Sequence, residues 1–410
     1  MAINILSQYN WVGGAFMPVI SNAQVRGFRL QNHHLAQSQP ISALSTIVGA
    51  CGLQNTPPYA WLTASHNRLP AITRTQLTQA LESNKLLLQA WSYRGAPVIF
   101  PTEQASIFLT ALIPEADEQP WIYTRGLLPT LPELGLTFEQ ALHYVITACH
   151  QLQQQTIVSK ARLDQLLAAL ITPELPATIK AKWLSASPYS NQQTLGAAVV
   201  SFLLRPCAHL GLIVFGQRRG NTPTFTTPEN WLKQSLIVNN TAQQQLVRKF
   251  VHCYGPTTRH ALQRWLGCGA QQAKRLWQAI APELQRVTTA GQTRYILATD
   301  YEQLTNSEPT ERLLLLGAHD PYLDLADRET ILAPPTLQRQ VWRYSGNPGV
   351  ITCGGRIIGI WRSQRSGNKL TLNLKSWSTL SAANKSQLEE LANADATFNQ
   401  QQLVKLVFEH

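Results

Sequence analysis

Charge is scarce in this chain of 410 residues: Asp, Glu, Lys and Arg make up 14% of it, against 44% apolar residues. That balance excludes a disordered polyelectrolyte and describes a folded chain with real cores, long enough for about two to four domains. Uninterrupted apolar runs approaching the ~18 residues that cross a bilayer are missing. The N-terminus also lacks a basic stretch leading into an apolar one. A cytoplasmic protein without a membrane partner is the expectation. The six cysteines (Cys51, Cys149, Cys207, Cys253, Cys268 and Cys353) contain no CxxC pair, which suits buried, reduced thiols better than a disulfide frame or a zinc site. The ten histidines form no HExxH, and no GxGxxG or phosphate-binding loop is found. Neither a metal nor an organic cofactor is expected.

The charge that is present is unevenly placed. The chain carries a net +11, and residues 201–300 hold 12 Lys and Arg against 3 Asp and Glu, whereas residues 301–410 hold 11 of each. A localised cationic region points to a polyanion, and nucleic acid is the commonest one inside cells. A solvated basic face is the plainer reading of charge alone.

Local pattern inside the basic region favours nucleic acid. In "YGPTTRHALQRWLGCGAQQAKRLWQAI" (254–280) the Pro-Thr start predicts a helix to about Leu266, broken by Gly267-Cys268-Gly269. A second helix places Ala273, Leu276, Trp277 and Ile280 on an apolar stripe, with Gln271, Gln272, Lys274, Arg275 and Gln278 outward. "RVTTAGQTRYIL" (286–297) then reads as a hairpin with an arginine on each arm, Arg286 and Arg294. Helix, turn, helix and hairpin make a winged helix.

The same order of parts recurs twice. One unit runs from a helix capped by Ser159, through a helix over 195–204, to strands around Gln217-Arg218-Arg219-Gly220. The other has a helix with Leu77, Ala80 and Leu81 inward, then two strands with Arg94-Gly95 at the tip. Beyond residue 300 the period changes to two: hairpins turn at Gly354-Gly355 and Gly367-Asn368, Leu370, Leu372 and Leu374 point inward, and a helix closes the chain near 381–394. The predicted division is an N-terminal extension (1–20), a first winged-helix region (21–134), a second motif (135–230), a third (231–300) and a β-rich domain (301–410). Candidate DNA contacts are Arg94, Arg218, Arg219, Lys274, Arg275 and Arg294 on the helical motifs, and Arg356, Arg362 and Arg365 beside the late hairpins. His33, His34, His143 and His150 read as surface or packing residues. Asp320 reads as a turn initiator before Pro321, and Asp324 as an ion-pair partner of Arg328.

The stretches "VRGFRLQNHHL", "AWSYRGAPVIFP", "LGLIVFGQRRGNTPTF", "YGPTTRHALQRWLG", "LLLLGAHDPYLDLADRE" and "GGRIIGIWR" together resemble the AlkZ-like family of bacterial tandem winged-helix DNA glycosylases, from about residue 21 to near the C-terminus. The resemblance implies an α+β fold of three tandem winged-helix motifs followed by a small antiparallel β-barrel-like domain. It implies a fold wrapped around double-stranded DNA, and excision of alkylated purines, bulky adducts and interstrand crosslinks among them; a monomer associated with the nucleoid is the accompanying expectation. The family's catalytic element is a glutamine, a variable residue and a second glutamine, and the matching positions are Gln54, Asn55 and Thr56. Threonine thus stands where the second glutamine is expected. A catalytically silent winged-helix DNA-binding protein, regulatory or architectural, is the alternative that this departure supports.

An N-alkylated purine is already cationic and leaves without help from an acid. The enzyme then needs chiefly a placed water and screening of the oxocarbenium-like sugar. A glutamine carbonyl accepts a water hydrogen while a neighbour holds its NH2. The Thr56 hydroxyl is the proposed helper.

Overall fold

The computed structural model describes residues 9–12 and 15–409. Of the N-terminal extension, residues 1–8, 13 and 14 lie outside the described residues. The chain divides into two compact units, one comprising the chain up to Thr78 with Val247–Leu262 and Trp277–His410, the other Gln79–Leu246 with Gln263–Leu276.

In the first unit, strands Tyr9–Val12, Ala15–Ile20, Leu284–Thr289 and Gln292–Leu297 form one sheet in that order. The extension therefore adds strands to the predicted hairpin, with Val19 and Ile20 running parallel to Thr288 and Thr289. Helix Asn22–Asn32 follows, started by a capping box in which Ser21 and Gln24 satisfy each other's backbone N–H groups. Its Val25 and Phe28 join Ile20, Val287, Ile296 and Leu304 in a buried cluster. Arg29, wholly buried, donates to the carbonyls of Tyr254, Gly255 and Pro256 and forks onto Asp327. Arginine in "VRGFRLQNHHL" is thus a brace between distant segments.

The late domain departs from the expected barrel-like, antiparallel form. Strands Leu313–Leu316, Gly349–Cys353, Arg356–Ser366, Lys369–Ser376 and Gln402–Glu409 make a single open sheet in chain order. Gln402–Glu409 lies parallel to Lys369–Ser376. A parallel return requires a crossover, supplied by helix Ala382–Phe398 with Ser381 as its cap. Leu388, Ala392 and Ala396 of that helix cover Leu370, Leu372 and Leu374, all three inward as predicted. A helix shields that face, so no barrel has to close around it.

The second unit packs helices Phe138–His150, Lys160–Ile171 and Leu195–His209 around one core. Ser159 caps the second of these, accepting from Arg162 N. Gly196 is obligatory, because a Cβ there would lie 2.3 Å from the Trp183 ring. Strands Val214–Arg219 and Thr222–Thr226 follow, with Phe225 stacked on Trp91 at 5.1 Å. His209, at the helix end, is buried against Trp121 and lies 3.2 Å from the Tyr123 hydroxyl.

Burial pushes the His209 imidazole down to about 4. His34 is pushed to about 4 as well, by burial first and then by the charges of Arg68, His33 and His252. The unfolded chain titrates these groups near 6.5, so it binds more protons than the folded state between about pH 4 and 6.5. Their contribution is fully present above that window and is lost as pH falls through it. Burial lowers His66 in the same sense, while Asp395, pushed up to about 6 by burial, and Asp164, raised by burial, work in the opposite sense, so three histidines stand against two carboxyls. The melting temperature is expected to climb between pH 4.5 and 6.5, with roughly 2 kcal/mol traceable to His209. A melting temperature that stays level across that range contradicts this.

Candidate active site

The candidate triplet lies directly after helix Leu44–Cys51, which ends at Gly52 with φ 75° and ψ 157°. That positive φ favours glycine and swings the chain into the short extended segment Leu53–Gln54. Alternation does the rest. Leu53 and Asn55 are buried, Gln54 is half-buried and Thr56 is exposed, the pattern of a segment with one face inward.

The structure places Asn55, the middle residue of the triplet, inward. It is 5% exposed, and its carbonyl oxygen accepts the Tyr59 backbone N–H at 2.6 Å. Tyr59 sits at φ 73°, ahead of helix Ala60–Arg68, a conformation costly for a side-chain-bearing residue. The Asn55 bond helps hold that corner. The Arg74 guanidinium lies over the Tyr59 ring at 5.0 Å.

The structure brings to Gln54 a partner that sequence reasoning missed: its Nε2 lies 3.5 Å from His319 Nδ1. Both side chains are half-buried. His319 is fixed through its neighbour, since Asp320 receives a forked ion pair from Arg68, Nη1 to Oδ2 at 2.8 Å and Nη2 to Oδ1 at 2.9 Å. Arg68 ends the helix that the triplet leads into, and it also donates to the carbonyls of His33 and Ala64. Further bonds pin the surrounding strand and turn: Asn67 to the Leu315 carbonyl, Trp361 Nε1 to the Leu316 carbonyl and Tyr254 to the Pro321 carbonyl. Asp320 does initiate the turn, accepting the Tyr322 N–H. Its principal charge partner is an arginine more than 250 residues earlier. His33 is buried between Tyr254 and Tyr322, a packing residue. Arg328 lies over the Trp342 ring.

The candidate DNA contacts separate into two groups. Arg219, Lys274, Arg356, Arg362 and Arg365 are exposed, and Arg218 is half-exposed with a guanidinium bond to the Asn221 carbonyl. Three others are engaged within the protein. Arg275 grips Glu118 at 2.7 and 2.9 Å and also bonds Gln243. Arg94 occupies the 3-10 turn Tyr93–Gly95 and donates to the Trp265 carbonyl at 2.7 Å. Arg294 is buried on Asp327 at 2.8 Å.

The reason for Arg294 lies in register. Val287 pairs with Arg294 and Arg286 with Tyr295, so Arg294 shares the inward face of Val287 while Arg286 is exposed. Gln272 is likewise corrected from the outer face: it is 1% exposed and donates to the Leu112 carbonyl. The open stripe of helix Ala270–Gln278 is Gln271, Lys274 and Gln278. All six cysteines are free thiols, and among the described residues no group of His, Cys, Asp and Glu could hold a metal ion. No helix of the described residues is long and apolar enough to cross a membrane.

These features agree with what comparison with known proteins finds. A profile of the DNA glycosylase AlkZ-like family matches residues 47–398. A protein of Streptomyces sahachiroi described as an interstrand DNA cross-link repair glycosylase is 23% identical over 355 residues, covering 82% of this chain and 86% of its own. The solved structure of the Streptomyces sahachiroi DNA glycosylase AlkZ superposes with a TM-score of 0.72 at 21% identity, covering 95% of this chain and 99% of that one. The mixed α+β architecture is therefore that of AlkZ. The chain belongs to the AlkZ-like family of DNA glycosylases.

Proposed function

We propose that this protein is a monofunctional glycosylase that hydrolyses the N-glycosidic bond of alkylated purines in duplex DNA, interstrand crosslinks included, acting as a cytoplasmic monomer. The observation that carries the reading is Gln54, a half-buried amide on a short extended segment, held at one end by a neighbour. In the step envisaged, the bond between C1′ and the purine nitrogen breaks and its electron pair neutralises the cationic base. Water oxygen then bonds C1′ and its proton passes to solvent. Gln54 aims that water through its carbonyl, and Thr56, two residues on and exposed, adds a hydroxyl.

The helix-helix-hairpin order of Arg259–Leu266, Ala270–Gln278, Leu284–Thr289 and Gln292–Leu297 supports a winged helix. We read the corresponding segments of residues 74–101 and 160–226 as two further motifs, making a tandem array that grips the duplex. The test is incubation with a duplex holding one N7-methylguanine: abasic sites form there and not in the unmodified duplex. Footprints on undamaged DNA without base release would favour a silent DNA-binding protein.

The two groups of arginines give a separate expectation. Binding weakens with salt at a slope near 0.9 per phosphate neutralised. Replacing Arg219 and Lys274 together by alanine should lower the slope of log affinity against log salt by about 2. Arg275→Ala should leave that slope unchanged, because its guanidinium is held by Glu118. Equal slopes for wild type and the double variant would remove Arg219 and Lys274 from the interface.

A further inference from the structure

We propose that His319 is the positioning residue for Gln54, completing the water-orienting unit in place of the missing second glutamine. This deepens the glycosylase reading and rests on it. A lone glutamine amide is ambiguous, since rotation by 180° exchanges an acceptor for a donor, and only the carbonyl orientation accepts a water hydrogen. His319 removes the ambiguity. With its proton on Nε2, the neutral imidazole presents a bare Nδ1, which accepts from Gln54 Nε2 at 3.5 Å. The amide carbonyl is then turned away from the ring toward the water. The separation is long, as hydrogen bonds at catalytic centres commonly are before substrate tightens them.

The surrounding structure suits a residue whose position matters. His319 adjoins Asp320, locked to Arg68, and Arg68 closes the helix that begins four residues after Thr56. One ion pair therefore fixes the distance between the two halves of the unit, although they are 265 residues apart in sequence. Thr56 reaches less far than the expected glutamine by roughly two bonds. A histidine that orients the remaining glutamine offsets that loss from the other side.

The test separates the two nitrogens of the ring. Asparagine places its carbonyl near the position of Nδ1, and glutamine places it near that of Nε2. His319→Ala should lower the single-turnover rate of base release about tenfold, with the DNA dissociation constant unchanged within about twofold. His319→Asn should restore the rate to within about threefold of wild type, and His319→Gln should not. In a Gln54→Ala background, His319→Ala should have no further effect. An unchanged rate in His319→Ala, or equal rescue by Asn and Gln, overturns the proposal.

A second readout does not depend on catalysis. The side-chain amide resonances of Gln54, identified by their loss in Gln54→Ala, should shift in His319→Ala and return in His319→Asn. If the wild type releases no base, the glycosylase reading fails, and this spectrum still decides whether His319 holds the amide. Resonances that stay in place refute the pairing.

Discussion

Replacing Gln54 by alanine is expected to lower the single-turnover rate of base release from N7-methylguanine by about 100-fold or more, with DNA binding altered less than about twofold. The magnitude follows from removing one preorganised polar group aimed at the reacting centre, an effect of roughly 10² to 10³ where such groups are deleted one at a time. Binding should survive because Gln54 is half-buried on a two-residue strand and carries no charge for phosphate. The fold should survive as well, since the Asn55 bond that helps hold the corner is kept. A rate loss that appears wholly in the substrate concentration dependence would mean that Gln54 binds DNA and does not orient water.

The largest expected loss of stability comes from Asp320→Ala. Asp320 is 2% exposed, and its carboxylate takes both terminal nitrogens of Arg68, itself 2% exposed. Removing it strands a buried guanidinium, which costs about 3 to 5 kcal/mol. Urea unfolding should show that loss as a lower midpoint with an unchanged slope. Because the pair also sets the place of His319, activity should fall in the variant at temperatures where it is still folded. Replacing both partners by apolar residues of similar volume, Arg68→Met with Asp320→Leu, should recover much of the stability, since no charge is left unpaired. A single-variant loss under about 1 kcal/mol would contradict the role given to this pair.

Much of the architecture was legible because it is written in local chemistry. Ser159 is a helix cap in sequence and in structure, the helix expected near 381–394 is found over Ala382–Phe398, and the alternation of Leu370, Leu372 and Leu374 marks the inward face of their strand. The division between buried and open arginines was less legible, although part of it was available. Once the hairpin turn is placed at Ala290-Gly291, register alone puts Arg294 opposite Val287 and therefore inward. Helical phase likewise places Gln271, Lys274 and Gln278 on one stripe. The engagement of Arg275 with Glu118 was not accessible, because an ion pair spanning 157 positions leaves no local trace.

The site shows the same limit more sharply. Gln54 and Thr56 were found through a motif confined to three residues. His319 stands in "GAHDPYLDLADRE", where the aspartates drew attention first. Nothing in the spacing tells a reader that residue 319 returns to residue 54. The nearest hint is the pair of buried-looking charges, Arg68 and Asp320, each adjoining a segment that matters and each in need of a partner.

Water placement by Gln54 is tested most directly by a crystal structure of the protein on a duplex that carries a cationic aza-sugar at the target nucleotide, a mimic of the oxocarbenium-like sugar. The prediction is an ordered water between the Gln54 carbonyl oxygen and the C1′ position, with the amide nitrogen drawn to His319. A Gln54 side chain turned away from the sugar, or a sugar bound far from residues 54 and 56, would contradict it.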